Sequence, residues 1–591
     1  MNESNIDTQS RADSASGLPA GLDPILFEVV RNALVAATEE MATALRRSAY
    51  STNVKTRNDF SCAFFDRDLR VTAQAFTQPV HLGSFVKLVP NSVRKYGIEN
   101  LQPGDMLVTN DPYGGGSHLN DVTIIAPVYY EGEIAGYLSN LVHHVDVGGG
   151  APASIGAFQE IYQEGIIIPP VKLVSDGKIV DDVFRLMLAQ MRSKRETAGD
   201  FRAQVAANIT GTNRLREIVE RLGLQRFNDY IEALIQYTSR RTRHEIEKLP
   251  QGTFKAEGTL DNDGFTNQRV KLCVSMTIDK TGVLFDTTGS DPQRRAPVNS
   301  TYAQTFSACA YALKSLIDRD VPINHGFYDW VRLHAPEGTV TNCQPPAPVV
   351  GGWETNARVT DIIYKALAPV LPDRVIAGTK GMMCQVGFGV LTPDEYYCFY
   401  EALGGGYGGR ASKDGPDAIQ AHGQNTENAP IEEIEANYPV RILRYELIPD
   451  SGGPGRQRGG LGLRRDYQFP NHDATFTLLA DRDLEGPWGL FGGEAGTRAS
   501  YLRNPDGTAI RLNSKSTVAI KKGEVISYQT CGGGGYGDPI EREAALVLDD
   551  VRNGKVSVEL ARSRYYVVID TTTWTVDEAS TRKLREAGRG A

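Results

Sequence analysis

The 591-residue chain has no run of about eighteen apolar residues, the length that crosses a bilayer, so no membrane span is expected. Its start, MNESNIDTQSRADSASGLPAG, lacks the apolar core of a secretory signal, and residues 1–22 read as a disordered leader. Cysteine is scarce and odd in number, seven in all (62, 273, 309, 343, 384, 398 and 531), with no CxxC pair. That usage suits a reducing cytoplasm, with the thiols serving as small core side chains. Concentrated positive charge is lacking too. Net charge is −9, and the basic clusters at 192–196 and 240–245 read as solvated helix faces, so nucleic acid is not an expected partner. There is no GxxxxGK[ST] loop, no GxGxxG in a credible βαβ unit and no HExxH. ATP is therefore not expected to bind this chain, and any metal site has to be assembled from separated residues.

What is present centres on Thr109 to Gly150, TNDPYGGGSHLND–VTIIAPVYY–EGE–IAGYLSNLV–HHVDVGGG. VTIIAPVYY reads as a strand, EGE as a turn and IAGYLSNLV as the returning strand. Such a hairpin brings His143 back beside His118 and Asp121, and the glycines at 114–116 let the preceding loop turn sharply. Imidazole and carboxylate form a ligand set for zinc or manganese, and three ligands leave a position open for water or substrate. The competing reading is a set of loop histidines satisfied by hydrogen bonds. Adjacent strand residues face opposite ways, so one of His143 and His144 points at this centre; spacing does not say which.

Asp23 and Pro24 open a long amphipathic helix to Ser48, with Asp as cap and Pro in its first turn. TRNDFSCAFFDRDLRVTAQAF alternates as a hairpin does. It carries Asp59, either a contact carboxylate or the cap of a turn after Asn58. His81 precedes a helix expected from about Ser84, and helix N-termini favour anions, so His81 is a candidate substrate contact rather than a ligand. Asp111 lies in the glycine-rich loop as another candidate contact. Glu160 and Glu164, four apart, are expected on one helical face, with Glu160 the candidate proton carrier or else part of a solvated face. Residues 180–247 keep the 3.6 period of a helical layer. From Gly252, strands with Asn-Asp-Gly and Asp-Lys-Thr-Gly turns read as a meander. Asn299, His325, Glu354, Thr355 and Arg358 gather at strand–helix junctions. Arg358 either grips an anion or pairs with Glu354. Glycine loops fill 375–440, an all-β stretch follows to about 540, and the tail reads as helix, turn, helix.

NDPYGGGSHLNDV followed by LVHHVDVGGG, then DSGGPGRQRGGLGL and GGGGYGDPIEREAALVLDDVRNGKVSVELARSRYYVVID, resemble the hydantoinase B/oxoprolinase family from about residue 23 to 570. The resemblance implies an α+β, multidomain chain. Its expected parts are a mixed metal-site region with a helical layer (23–250), a central α/β region (251–439), a glycine-rich β domain (440–540) and a helical tail (541–591). It also implies a heteromer with a hydantoinase A/oxoprolinase-type subunit that uses ATP to phosphorylate the carbonyl of a cyclic amide. This chain would then open the ring with metal-activated water. In that scheme His118, Asp121 and His143 hold zinc or manganese, with the family motif favouring His143 over His144. His144 or Asp146 orients a ligand, Glu160 or Asp59 manages protons, and His81, Asp111 and Arg358 touch substrate. A related branch joins an enol phosphate to carbon dioxide, and a third reading is a non-catalytic scaffold for the partner. Hydantoins, 5-oxoproline and caprolactam all remain open as the ring.

Overall fold

The computed structural model describes residues 18–19 and 21–589. Most of the expected leader (1–17 and 20) therefore lies outside the described residues. Leu18 and Leu22, at its end, pack against the first helix layer.

The first unit is a seven-stranded antiparallel sheet. Its strands are β1 (Phe60–Asp66), β2 (Val71–Gln74), β3 (Met106–Thr109), β4 (Asp121–Tyr130), β5 (Glu133–His143), β6 (Val171–Ser175) and β7 (Lys178–Ile179), in the spatial order β2-β1-β5-β4-β3-β6-β7. Alternation gives it two apolar faces. Cys62, Phe64, Leu138 and Val142 face α1 (Pro24–Ser48), α3 (Lys194–Leu222) and α4 (Leu224–Glu247). Ala63, Phe65, Tyr137 and Leu141 face α2 (Pro79–Tyr96) and the central region. Asp23 caps α1 by accepting from the Ile25 amide at 2.8 Å, and Pro24 occupies its first turn. The second helix begins at Pro79, not Ser84, because proline is as well suited to the first turn there as at Pro24.

The central region is a four-stranded sheet in the order β11-β10-β9-β8, from β8 (Gly252–Leu260), β9 (Val270–Asp279), β10 (Gly282–Asp286) and β11 (Val331–His334). It shares one core with α2, α5 (Tyr302–Leu316) and α6 (Gly352–Leu367). Beyond it, β12 (Gln385–Leu391) and β13 (Tyr396–Ala402) pair with β16 (Ala474–Leu479) and β19 (Lys515–Ile520). A five-stranded sheet packs on them, built from β14 (Arg441–Leu447), β15 (Leu463–Gln468), β20 (Val525–Gln529), β17 (Ser500–Arg503) and β18 (Ile510–Arg511). One sheet thus runs across residue 440, where a boundary between regions was expected. The glycine loops there approach one another's backbones: a β-carbon on Gly532 would lie 1.8 Å from the Ser451 carbonyl oxygen, and one on Gly406 2.0 Å from the Gly533 nitrogen. The tail folds as α7 (Ala544–Arg552) and α8 (Val558–Ser563), then a short hairpin and a last helix. Among the described residues no helix is long and apolar enough to cross a membrane, and the seven cysteines are unpaired.

Candidate metal centre

The hairpin forms as its sequence predicts, around a two-residue turn. Glu131 and Gly132 both take positive φ (49° and 86°), as the turns that match strand twist require. The register then places Asp121, first residue of β4, directly opposite His143, last residue of β5. His118 sits one turn upstream and accepts the Asp121 amide through its carbonyl at 3.0 Å. Gly115 (φ 115°) brings that loop onto α2 so closely that a β-carbon would lie 2.8 Å from the Leu88 nitrogen.

One atom each from His118, Asp121 and His143 comes together, all within 4.8 Å of one another and all buried. His118 Nε2 is 3.3 Å from Asp121 Oδ2, the oxygen that accepts from the Ser117 hydroxyl. The rings of His118 and His143 are 4.9 Å apart. Asn53 reaches His143 Nδ1 at 3.1 Å and is itself held by Arg57 at 2.7 Å, which fixes the ring. Two carboxylates and three imidazoles meet here, because His81 Nε2 lies 3.7 Å from Asp121 and 3.9 Å from Asp59. His81 is thus inside the cluster, in the first turn of α2.

Burial without pairing controls the electrostatics. It depresses the His118 imidazole to about 3 and holds His143 well below the ordinary range. Burial likewise raises Asp59 to about 7, against the pull of Arg57 and with Asp121 adding to the rise. Asp121 is raised by burial, opposed by His81 and Ser117. His118 Nδ1 and Nε2, His143 Nε2, Asp121 Oδ1 and Asp59 Oδ2 have no hydrogen-bond partner. Buried polar atoms are normally satisfied, and neutral imidazoles are the ligand form of histidine. These residues fit a divalent cation.

The other expected residues stand elsewhere. His144 points to the opposite face, as alternation dictates; it stacks on Phe201 at 4.3 Å and meets Gln204 at 2.9 Å. Asp146 is tied to Arg192 at 2.9 Å and to the Gly148 amide, closing a loop. Asp111 accepts from the Tyr113 and Gly114 amides and pairs with Lys95, so it shapes the glycine turn. Glu160 and Glu164 do not share a helical face, because only a single 3₁₀ turn lies between them. Glu160 forms a surface pair with Arg295 at 2.7 Å, while Glu164 is buried and accepts from the Val349 and Val350 amides. Arg358 pairs not with Glu354 but with Asp481 at 2.8 Å, deep in the protein.

Sequence reasoning missed the aromatic walls. Tyr400 stacks on His143 at 4.3 Å, with the Arg57 guanidinium over its ring. Trp353 packs within 6.1 Å of His118 and 6.3 Å of His81. Neighbouring Glu354 is raised by burial to about 8 and keeps one oxygen unpartnered, as does the Tyr400 hydroxyl. Glu354 stood out only as a polar residue at a junction, and Tyr400 had no signal beyond that of a core strand aromatic.

Residues 23–539 match the family model described as hydantoinase B/oxoprolinase. The chain belongs to that family. Its relatives include the putative D-/L-hydantoinase B chain of Pseudomonas sp. (strain NS671), 32% identical over 96% of this chain and 98% of the relative. The beta chain of the caprolactamase of Pseudomonas jessenii is 33% identical over 96% and 99%. Among solved structures, the ATP-dependent caprolactamase from that organism superposes with a TM-score of 0.87 at 29% identity, covering 96% of this chain and 100% of that one. Nucleotide-free acetone carboxylase shares the fold, with a TM-score of 0.89 at 20% identity over 99% of this chain and 86% of the other. The hydantoinase and caprolactamase relatives are both named as subunits, which implies a partner chain for such proteins.

Proposed function

We propose that this chain is the hydantoinase B-type component of an ATP-dependent cyclic amide hydrolase, opening a ring whose carbonyl oxygen a hydantoinase A-type partner has phosphorylated. The single observation that carries the reading is the meeting of His118, Asp121 and His143 with their ligand atoms buried and unpartnered, in a chain of this family. Those three would hold a divalent cation, zinc or manganese. Bound there, it would supply Lewis acidity and lower the pKa of water toward neutrality.

The chain's own residues supply the rest. Resonance makes an amide carbonyl a poor electrophile, and phosphorylation of its oxygen in the partner removes that resistance. A first water adds to the ring carbon and the C–N bond breaks, leaving an acyl phosphate and the freed amine, and a second water then releases phosphate and the carboxylate. In the ring-opening step one proton is taken from the adding water and one is given to the ring nitrogen. Asp59, raised to about 7 and 3.9 Å from His81, is matched to accepting the first near neutral pH. Glu354, raised to about 8, is matched to donating the second. Tyr400 and Trp353 wall the centre and exclude bulk water, which strengthens each of these interactions. The hydrolase names carried by relatives at 32–33% identity support ring opening over the carboxylase alternative, whose structural likeness extends to the fold alone.

The test is elemental analysis of the chain purified with its A-type partner, beside His118→Ala and Asp121→Ala. Near-stoichiometric zinc or manganese is expected in the wild type, lost in both variants together with ATP-dependent ring opening. A metal-free wild type with full activity in both variants would sink the proposal and favour a scaffold.

A further inference from the structure

A buried tyrosine normally finds an acceptor for its hydroxyl. In this chain Tyr328 donates to Gln74 at 3.3 Å and Tyr501 to the Asp481 carbonyl at 2.9 Å. The buried hydroxyls of Tyr400, Tyr528 and Tyr565 have no partner. Tyr528 lies in the core shared by the two later sheets and Tyr565 in that of the tail, each among apolar side chains. Of the three, Tyr400 is the one that stands against the metal residues.

Its position is tightly set. Alternation along β13 sends Phe399 into the sheet core and Glu401 onto Arg465, and turns Tyr400 the other way. There its ring stacks on His143, 4.3 Å between centroids and 15° from parallel. Arg57 lies over the ring at 5.2 Å and donates to the Tyr400 carbonyl at 3.2 Å. Burial raises the phenol well above its ordinary range, and Asp59, Arg57, Glu354 and Asp121 all act on it. Those three carboxyls come from the turn before β1, from α6 and from β4, so the hydroxyl is where they converge. Asp59 Oδ2, Asp121 Oδ1 and Glu354 Oε1 are acceptors without partners, and the Tyr400 hydroxyl is a donor without one. Donor and acceptors are buried near one another yet make no bond among themselves, an arrangement that a guest molecule completes.

We propose that Tyr400 is a catalytic residue of the ring opening, its hydroxyl donating a hydrogen bond to a phosphoryl oxygen of the activated ring. The inference rests on the hydrolase reading for the reaction and adds the residue that holds the activating group. The assignment follows from what each neighbour can give. A phosphoryl group accepts hydrogen bonds and offers few or none. In the ring-opening step Asp59 takes a proton from water and Glu354 gives its proton to the ring nitrogen, so neither serves as a donor to phosphate. A phenol is neutral and protonated at neutral pH, and it donates while keeping its proton. Arg57, whose Nη2 is also without a partner, adds positive charge over the Tyr400 ring and favours an anion there.

The test is Tyr400→Phe, which keeps the stack on His143 and the carbonyl that Arg57 grips, and removes one oxygen. In the complex with the A-type partner, ring opening should fall about a hundredfold with metal content unchanged. In the full chain with Mn²⁺ added, inorganic phosphate, followed by broadening of its ³¹P resonance, should bind about tenfold more weakly than to wild type. Stability separates this from a structural role. The lost hydroxyl had no partner, so the urea midpoint of Tyr400→Phe should match or exceed that of wild type. Tyr501→Phe, which loses its bond to Asp481, should show the reverse: a lower midpoint, with ring opening and phosphate binding unchanged. A wild-type rate in Tyr400→Phe, unchanged phosphate affinity, no phosphate binding by the wild type, or a lowered midpoint with metal lost would each overturn the assignment; the last is the mark of a ring that only supports His143. A wild-type complex that opens no ring, with phosphate still bound more weakly by Tyr400→Phe, would remove the hydrolase reading and leave Tyr400 as a phosphate donor.

Discussion

Two clusters of charged residues are equally buried in this chain and behave in opposite ways. Around β4 and β5, Asp59 and Asp121 have carboxyls raised by burial, and the histidines beside them are neutral. At the other end of α6, burial also pushes Asp481 and Asp361 upward, yet both end below the usual carboxylate range. Lys515 and Arg358 pull Asp481 down, and His422 with Arg482 does the same for Asp361. The difference is partnership. In the second cluster each carboxylate meets an Arg or Lys cation at 2.8–3.1 Å, and the charges compensate within the protein. In the first, ligand atoms meet without partners, and a cation from outside would complete them. A buried charge pair is architecture, whereas a buried set of unpaired lone pairs gains its compensation from a ligand.

Substitutions can break this contrast in order of expected size. The largest effect belongs to His118→Ala, which should lower ring opening in the partner complex by about three orders of magnitude, several kcal/mol of metal assistance. Urea denaturation of the metal-free chain should stay within about 1–2 kcal/mol of wild type, since the lost imidazole had no partner. Arg358→Met should do the reverse. Removing one side of the Asp481 pair is expected to cost about 3–5 kcal/mol in the same denaturation assay, with metal content unchanged in the protein that remains folded.

A smaller effect follows from Glu164, a third buried carboxyl without a cation. Burial holds it at about 8, against the Val349 and Val350 amides, from an ordinary 4.5. The folded chain therefore binds more protons than the unfolded one between these values. The sign follows from that excess: Glu164's contribution to stability is fully present below about pH 4.5 and is lost as pH rises through 8. Glu164→Gln keeps an acceptor for both amides and cannot ionise. Its melting temperature should fall less steeply from pH 5 to 8.5, and at pH 8.5 it should exceed wild type by about 1–3 kcal/mol of stability. An identical pH slope in the two proteins would show that Glu164 does not titrate in this range. The smallest effect is Glu160→Gln. Its surface pair with Arg295 should be worth less than about 1 kcal/mol, and ring-opening rates should be unchanged.

Much of the candidate metal centre was legible because it is local. A strand, a two-residue turn with glycine second and a returning strand set their own register, and the register alone puts Asp121 opposite His143. The period of two then sends His143 and His144 to opposite faces, although spacing could not say which faced inward. The helical layer from 180 to 247 and the helix–turn–helix of the tail were likewise written in apolar periodicity. The partners of Glu160, Asp111, Asp146 and Arg358 were not, because a polar side chain's partner is set by whatever packs against it. Arg358 finds Asp481, 123 positions away, and Asp146 finds Arg192, 46 positions away.

By itself, then, the sequence determined the hairpin, its three candidate ligands, the family and the absence of a nucleotide loop. Only the tertiary structure decided which other groups join them. Asp59 comes from the turn before β1, His81 from the first turn of α2, Trp353 and Glu354 from α6, and Tyr400 from β13. Each is remote in sequence and is brought in by sheet pairing and helix packing. Burial, which raises the carboxyls and lowers the imidazoles of the site, is a property of the whole packed molecule, and no single segment encodes it.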